Sequence, residues 1–515
     1  MNTVPAAASP EARSGLEPWG RATLPAPPDT RGLRLLAVVG PGAIVLGASL
    51  GSGEWLVGPA AFVKYGLSLL WVTGLAVTFQ TIFNTEVVRY TLYTGEPAFT
   101  GFMRTRPGAR FWAWTYAALY FLQNGWPGWA GASAGALFFL ATGRAATGGD
   151  SGAVYLVGIG AYLLCALVLV LGGRRIERTL ELLNWALVAG ILGTLTVLCV
   201  QYAPPARWFA AVAGFAAFDA DSGGFRLLPP GADWFLIGAF AAYSGCGGVT
   251  NITLSNWARD KGYGMGQVVG YIPTLVAGKE VRLAHTGSVF EPDAASLDRW
   301  RGWWRIVRAD QWGIFFPGAL LGMALPAILY TAAIPAGTDL RGLAIASELA
   351  QALGQRGGQA VPLLLALVSV WILFKTQLDI LEATVRSLTD MLWSASGRLR
   401  AWRGGDVRVV YSGVLLVVVG WGLFALGLSQ PIVLLQLAAN VAGLVMTLAP
   451  LHILRVNTTL LPAALRPSRA RQAMLCAMAL FYGTFVWLWL MGGLVPDPER
   501  GFLFGVLGLF GAGRG

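Results

Sequence analysis

A single acid, Glu54, stands inside the long apolar stretch 35–65, directly after Gly51-Ser52-Gly53. An acid at the membrane centre costs on the order of 2.5–3.5 kcal/mol if it faces lipid, so it is expected to face a cavity or a partner. A helix that ends near Leu50 leaves its last carbonyls unpaired, and carbonyls with a carboxylate suit a hard cation. Alternatively, Glu54 caps a following half-helix, whose dipole favours an acid by about 0.3–1 kcal/mol. The two roles are compatible.

A second glycine-rich cluster, with Asn251 shortly after it, lies in the apolar stretch 234–258. It reads Ser244-Gly245-Cys246-Gly247-Gly248. Glycine costs about 1 kcal/mol in a helix interior, and irregular backbone at membrane depth is tolerated only beside a cavity or inside protein. Small residues also serve close helix packing, and Cys246 is either a soft metal ligand or a packing residue. We interpret both clusters as helix breaks that face one binding site.

Further polar side chains interrupt other apolar stretches. They include Gln80, Asn84, Glu86, Arg89, Gln123, Asn124, Lys375, Gln377, Asp379, Glu382, Arg386, Gln436 and Asn440. Lys375 and Asp379 are four residues apart and can pair on one helix face, which makes internal neutralisation the simpler role. Asp379 is, besides Glu54, the best candidate for a proton relay.

The elements that must position these residues are predicted to be membrane-spanning helices. The chain has 515 residues, of which 55% are hydrophobic and 12% charged, whereas soluble domains average about 25% charged residues. This predicts an all-α polytopic membrane protein with about eleven spans of ~20 residues or more. The spans are 35–65, 67–92, 111–141, 152–172, 179–202, 234–258, 311–335, 361–394, 408–428, 430–454 and 472–495, with a weaker segment at 502–512.

Basic residues cluster in alternate connections, after the even-numbered spans, and the chain carries a net charge of +11. The expected location is the cytoplasmic (inner) membrane. The charge pattern predicts that the N-terminus lies in the cytoplasm and the C-terminus outside. The bilayer, not nucleic acid, is the expected partner. The Arg- and Trp-rich stretch 299–308 is expected to form an interfacial amphipathic helix. Residues 1–32 are expected to be a disordered cytoplasmic tail.

The sequence lacks the patterns that would indicate an enzyme or a pump. Its two histidines form no HExxH motif, its four cysteines form no CxxC motif, and no Gly-rich loop ends in GK[ST]. We therefore expect no enzyme, no cofactor and no ATP-driven pump. The oligomeric state is left open.

The two breaks lie five spans apart, in spans 1 and 6. An odd offset gives two units of opposite orientation, which is the signature of an inverted-repeat transporter with discontinuous helices at its binding site. The expected organisation is a first repeat at 33–202, an extracellular loop at 203–232, a second repeat at 233–455 and a C-terminal span and tail at 456–515.

Several motifs resemble the Nramp family of metal-ion transporters. They are Gly40-Pro41-Gly42, Gly53-Glu54-Trp55, Arg89-Tyr90 with Thr94-Gly95, the segment 377–389, and Ser429-Gln430 with Gln436-Leu437. The resemblance covers about residues 33–455. It implies a LeuT-type fold with five-plus-five repeats, proton-linked uptake of a divalent metal, and metal held between helices 1 and 6.

The departures from that family change the expected site. Gly51-Ser52-Gly53-Glu54 replaces the family's Asp-Pro-Gly-Asn, and 248–251 lacks its methionine and histidine. Loss of the thioether favours harder ions such as Mg²⁺ or Mn²⁺, as in Nramp-related magnesium transporters. Loss of the aspartate and the histidine leaves proton coupling open.

The sequence thus predicts a secondary transporter of a divalent cation (Mn²⁺, Mg²⁺ or Fe²⁺). The expected metal ligands are Glu54, Gly51 and Asn251. The wider substrate site is Gly51, Ser52, Glu54, Gly245, Cys246, Gly247, Gly248, Asn251 and Gln436. The alternative is a carrier of a small organic solute, such as an amino acid or amine, whose ammonium group Glu54 would bind.

Overall fold

The computed structural model is almost entirely helical. It describes residues 15–30, 32, 38–171, 176–271, 284–340, 347–358, 360–402 and 405–492. The predicted segment 502–512 and residues 1–14 lie outside these ranges.

The helices of the first half follow the predicted spans. They are α1 (Pro41–Leu50), α2 (Gly58–Tyr65), α3 (Leu70–Thr94), α4 (Ala98–Met103), α5 (Ala109–Asn124), α6 (Gly128–Thr142), α7 (Ser151–Leu171), α8 (Ile176–Tyr202), α9 (Pro205–Gly214) and α10 (Trp234–Tyr243). The two-residue strand β1 (Gly20–Arg21) precedes α1, and the strands β2 (Phe218–Asp219) and β3 (Gly224–Phe225) lie between α9 and α10.

The second half continues in the same way. It contains α11 (Val249–Asp260), α12 (Gly266–Val269), β4 (Ser288–Val289), α13 (Ala294–Asp310), α14 (Phe316–Ala333), α15 (Glu348–Gly357), α16 (Ala360–Ala395), α17 (Gly397–Ala401), α18 (Val407–Ala425), α19 (Pro431–Thr459) and α20 (Arg469–Gly492). Strand β1 pairs in parallel with β4, and β2 pairs antiparallel with β3.

Local residue types account for many helix ends. Asp233, Asp293 and Asp406 cap α10, α13 and α18, each accepting a hydrogen bond from a backbone N–H of the first turn. Gly95 ends α3 with a φ of 71° and Gly143 ends α6 with a φ of 72°, a conformation that glycine adopts without strain.

Within the described ranges, eight helical stretches are long and apolar enough to cross a membrane. They match eight of the eleven predicted spans. The other three predicted spans, 35–65, 111–141 and 234–258, are each divided between two shorter helices. The breaks in the first and sixth spans confirm the prediction. The break in the third span, at 125–127, was not predicted.

Span 7 is longer than the sequence suggested. The helix predicted over 299–308 is present as part of α13, which runs into α14 through the π-helical turn Gln311–Phe315 as one element of 40 residues, Ala294–Ala333. The amphipathic pattern has a physical reason, since Trp300 and Trp303 are buried while Arg301 is exposed. The predicted amphipathic helix is therefore confirmed and is continuous with span 7, and its interfacial position stays a prediction.

Residues 15–30 are also packed, so the expectation of disorder over 1–32 is wrong for them. The Trp303 indole donates to the carbonyl of Pro25 at 2.9 Å, and Arg299 donates to that of Leu24 at 2.7 Å. At the start of this segment, Glu17 pairs with His285 at 2.8 Å. The hydrogen bond and the charge of His285 hold the pKa of Glu17 below its ordinary value.

The connections group at two ends of the bundle, as the charge pattern predicts. At one end, Glu17 lies 3.8 Å from Arg400, and its carbonyl accepts a hydrogen bond from Arg104. Together with His285, which also pairs with Glu17, these residues join the connections after spans 2, 6 and 8. At the other end, Lys64 lies 4.0 Å from Asp233 and 3.5 Å from Asp339, which joins the connections after spans 1, 5 and 7.

Candidate functional site

The two predicted breaks meet in the interior of the bundle. We call residues 51–57 the span-1 break; it consists of Gly51, Ser52 and the π-helical turn Gly53–Val57. We call residues 244–248 the span-6 break, between α10 and α11. A Cβ atom on Gly53 would lie 1.6 Å from the carbonyl oxygen of Tyr243, so only glycine allows this approach. The close contact fixes the two breaks against each other.

Glu54 is fully buried in the first turn after this contact. Neither carboxylate oxygen has a hydrogen-bond partner of normal geometry among the described residues. The side chain of Ser49 and the backbone N–H of Gly245 lie close to it. A buried carboxylate without a partner is strongly unfavourable, so the charge of Glu54 requires a cation or a proton.

The span-6 break carries three glycines in the left-handed region, Gly245, Gly247 and Gly248, with φ values of 93°, 78° and 70°. Cys246, between them, is 4% exposed and lies within electrostatic range of Glu54. Side chains with a Cβ rarely adopt this conformation, so the glycine cluster is a requirement of the break. The sequence indicates the cluster by a different property, the low helix propensity of glycine at mid-span.

Asn251, one turn into α11, is buried and joins a chain of amide side chains. Its Nδ2 donates to Gln80 Oε1 at 3.2 Å and to Asn84 Oδ1 at 2.9 Å. Asn84 Nδ2 in turn donates to Gln311 Oε1 at 2.9 Å. The Oδ1 atom of Asn251 has no partner among the described residues. This oxygen is therefore free to face a ligand while the amide nitrogen is held.

The chain of amides continues to the start of α1. Gln311 donates to Asp310 at 2.8 Å, and the Asp310 carboxylate accepts the backbone N–H groups of Gly40 at 2.8 Å and Gly42 at 2.7 Å. A carboxylate at a helix N-terminus satisfies free N–H groups and the helix dipole. A continuous set of hydrogen bonds thus links the span-6 break to the first turn of span 1.

Gly51 and Ser52 are packed against neighbouring helices. A Cβ on Gly51 would lie 2.3 Å from Thr376 Oγ1 of α16. The Ser52 hydroxyl donates to the carbonyl of Ala48 at 3.0 Å and accepts from the Trp129 indole at 3.1 Å. The hydroxyl of Ser52 is therefore occupied by structural hydrogen bonds.

Two predicted residues are not joined to the breaks by hydrogen bonds. Asp379 forms an ion pair with Lys375 and accepts from Asn184 Nδ2 at 3.5 Å. This internal pair is the simpler role that the spacing allowed. The Gln436 side chain makes no hydrogen bond to the described residues of either break. The backbone carbonyl of Gln436 accepts a hydrogen bond from Asn440 Nδ2 at 2.8 Å.

The donor set is poor in side chains that bind metals tightly. Among the described residues, no group of three or more His, Cys, Asp and Glu side chains could hold a metal ion. What the breaks offer is one carboxylate, one thiol, the amide oxygen of Asn251 and backbone carbonyls. A cation held here would be bound mainly by oxygen atoms.

Two residues have a larger part in the site than the sequence suggested. Gln80 and Gln123 were noted only as polar groups inside spans, but both bond directly to the backbone of the span-6 break. No pattern in the sequence identifies these partners, because they lie more than 100 residues apart along the chain.

The fold is shared with solved transporter structures. A crystal structure of the Eremococcus coleocola manganese transporter, in complex with an aromatic bis-isothiourea substituted compound, superimposes with a TM-score of 0.60 at 14% identity, over 94% of this chain and 93% of that one. A mutant of the same transporter gives a TM-score of 0.58 at 15% identity, over 95% and 94%. No model of a protein family and no curated protein matches the sequence.

This likeness shows the fold. The predicted class, an all-α polytopic membrane protein of the LeuT type with discontinuous helices 1 and 6, is confirmed. The fold implied by the Nramp resemblance is therefore present over nearly the whole chain.

Proposed function

We propose that the chain is a secondary active transporter that moves a divalent metal cation, Mn²⁺, Mg²⁺ or Fe²⁺, across the cytoplasmic membrane. The observation that carries this proposal is the carboxylate of Glu54, which is fully buried where the two breaks meet and has no hydrogen-bond partner in the part of the chain that the structure describes. A divalent cation bound there would neutralise the charge and replace the missing contacts. The cation would be released when the site opens to the other side.

The other atoms around the site support a hard or borderline cation. Asn251 Oδ1 and the carbonyls of the Gly51 and Gly245 regions are oxygen donors, which suit Mg²⁺ and Mn²⁺. The Cys246 thiol is a softer donor near Glu54, and it would favour Mn²⁺ or Fe²⁺ over Mg²⁺. The shared fold with a manganese transporter supports the same class of substrate.

The orientation is part of the proposal. The end that holds Glu17, Arg104 and Arg400 carries the larger share of basic connections, so we place it, with the N-terminus, in the cytoplasm. Coupling to protons would use Glu54 as the carrier, with Asp379 as a second candidate. The Lys375–Asp379 ion pair gives Asp379 a structural role that competes with proton transfer.

Uptake into vesicles reconstituted with the purified protein tests the function. We expect saturable uptake of Mn²⁺ that excess Mg²⁺ or Fe²⁺ inhibits and that amino acids and amines leave unchanged, with internal pH recorded alongside. Inhibition by an amino acid or amine, together with no uptake of any divalent cation, would replace the proposal by the organic-solute carrier. Acidification of the lumen with uptake would establish proton coupling.

Glu54→Gln tests the ligand assignment in the same vesicles. The amide keeps the size of the side chain but removes its charge, so we expect uptake of Mn²⁺ to fall at least about tenfold, the effect of roughly 1.4 kcal/mol. The matched control is Glu291→Gln, because the Glu291 side chain, between β4 and α13, is 71% exposed. Normal Mn²⁺ uptake by Glu54→Gln would refute the assignment.

A further inference from the structure

The backbone of the span-6 break has to be satisfied deep inside the bundle. Between the end of α10 at Tyr243 and the start of α11 at Val249, the chain makes no regular helical hydrogen bonds. Free N–H and C=O groups at this depth cost several kcal/mol each unless protein atoms pair with them. Protein atoms outside the break must therefore pair with these groups.

Gln80, on α3, pairs with one side of the break. Its Nε2 donates to the carbonyl of Ser244 at 2.8 Å, and its Oε1 accepts the N–H of Gly247 at 3.2 Å. The same Nε2 donates to the hydroxyl of Tyr482 at 2.9 Å, which fixes the amide from behind. A carboxamide has one donor and one acceptor group, so it can replace a neighbouring peptide unit.

Gln123, on α5, pairs with the other side. Its Nε2 donates to the carbonyl of Gly247 at 3.2 Å, and its Oε1 accepts the N–H of Val249 at 2.9 Å. The second bond caps α11, whose Gly248 N-cap has no side chain to do so. Gln80 and Gln123 together thus satisfy four backbone groups of the break and its edge.

The fit between these amides and the glycines is close. A Cβ on Gly248 would lie 2.0 Å from Gln123 Oε1, and one on Gly245 would lie 2.7 Å from Gln80 Oε1. Both glutamines are buried, at 0% and 1% exposure. The glycines allow the amides to reach the main chain, and the amides hold the glycines in their left-handed conformation.

We infer that Gln80 and Gln123 are positioning residues, which act as replacements for peptide units and hold the span-6 break with Gly245 and Cys246 turned towards Glu54. The NH₂ group and the carbonyl oxygen of each side chain are both engaged by other protein atoms, so the glutamines act on a bound ion through the break and not as ligands. The inference rests on the proposed function only in taking the break as part of a cation site.

Alkylation of Cys246 measures the break without any metal. Purified wild-type protein and the Gln123→Met and Gln123→Glu variants are treated with N-ethylmaleimide, and modified peptides are quantified by mass spectrometry. Methionine has a similar length but neither hydrogen bond, whereas glutamate keeps the acceptor for Val249. We expect Cys246 to react on the order of tenfold faster in Gln123→Met, as loss of buried hydrogen bonds implies, and less than that in Gln123→Glu.

Other residues of the chain serve as internal standards. Exposed Cys476 reports the activity of the reagent, and buried Cys199 reports general unfolding. Gln201→Met is the matched control, because Gln201 is exposed at the end of α8. If Cys199 also becomes reactive in Gln123→Met, that variant is partly unfolded. The alkylation rates of Cys246 in Gln123→Glu and Gln80→Glu are then compared with wild type, with the same internal standards.

Transport kinetics supply the second measurement. For Mn²⁺ uptake, loss of positioning is expected to raise KM about tenfold in Gln123→Met with a smaller change in kcat, and Gln123→Glu should recover part of it. Wild-type rates of Cys246 alkylation in the glutamine variants, or an unchanged KM, would overturn the inference. If the wild-type protein transports no divalent cation, the proposed function fails, while the alkylation rates still decide the role of the glutamines.

Discussion

The two breaks are built from similar residues but are stabilised in different ways. In the span-6 break, uncharged amide side chains from two other helices take up the free backbone groups. In the span-1 break, backbone groups pair with one another, since the N–H of Gly58 donates to the carbonyl of Gly53 across the π-helical turn. Only this second break contains a charge, and that charge has no hydrogen-bond partner among the described residues.

The difference indicates a division of roles. The span-6 break is held by neighbours, so it can present backbone and thiol atoms in a fixed arrangement. The span-1 break is held by the contact of Gly53 with Tyr243, and it leaves Glu54 free for a ligand. Substitutions that act on one break and not on the other test this division.

Gly53→Ala should have the largest effect. The new Cβ would lie 1.6 Å from the Tyr243 carbonyl oxygen and 2.5 Å from its carbon, and backbone atoms cannot give way as a flexible side chain can. Overpacking of a closed interior costs about 1–3 kcal/mol or more, and here it separates the two breaks. We expect Mn²⁺ uptake to be lost and the melting temperature in detergent to fall.

The control for this prediction is Gly193→Ala. A Cβ on Gly193, inside α8, meets no atom within 4 Å, so this variant carries the same chemical change without the clash. We expect wild-type uptake and an equal or slightly higher melting temperature, because alanine is favoured over glycine in helices. Full uptake by Gly53→Ala would show that the contact between the breaks is dispensable.

Asp310→Asn should have an intermediate effect, confined to the first span. The substitution removes the charge that receives the N–H groups of Gly40 and Gly42 at the start of α1. Hydrogen bonds to charged groups contribute about 1.5–3 kcal/mol, and asparagine retains one acceptor, so we expect a loss of roughly 2 kcal/mol in unfolding free energy. Thermal unfolding in detergent measures it.

The same variant tests whether the two breaks are stabilised separately. Gln80 and Gln123 keep their bonds when Asp310 is changed, so the alkylation rate of Cys246 should stay within about twofold of wild type, below the effect of one lost hydrogen bond. Asp298→Asn on the same helix is the control, because the Asp298 side chain is 81% exposed. A strong rise in Cys246 reactivity in Asp310→Asn would mean that the polar chain couples the breaks and that they are not stabilised separately.

Much of the fold could be predicted because its cause is local. Stretches of about 20 apolar residues predict spans, and glycine clusters at mid-span predict breaks, since both depend on residues that are neighbours in sequence. The break in span 3 had a comparable signal in Gly125 and Pro127, because proline cannot continue a helical hydrogen-bond ladder. A prediction from the length of the apolar stretch alone does not use that signal.

The details of the site depend on contacts that no local pattern contains. Trp303 and Pro25 are 278 residues apart, and Gln80 and Ser244 are 164 apart. Burial of the N-terminal segment and pairing of the span-6 backbone follow from these contacts. Glu54 could be predicted as a candidate site residue because a lone acid inside an apolar span is recognisable from its sequence neighbours alone. Its ligand role stays a prediction.

Ser52→Ala should have the smallest effect, and it separates a structural hydroxyl from a ligand. The hydroxyl bonds to Ala48 and Trp129, so its removal leaves the Trp129 indole without an acceptor and should cost about 1 kcal/mol of stability. Trp129→Phe should lose a similar amount, and the double variant should lose less than the sum, because both substitutions remove one shared bond. Thermal unfolding of the three variants measures this.

The KM for Mn²⁺ should stay within about threefold in Ser52→Ala, because the loss of roughly 1 kcal/mol lowers the stability of the fold and not the affinity for the ion. A tenfold rise in KM without a loss of stability would instead make Ser52 a ligand and assign two donors to the span-1 break.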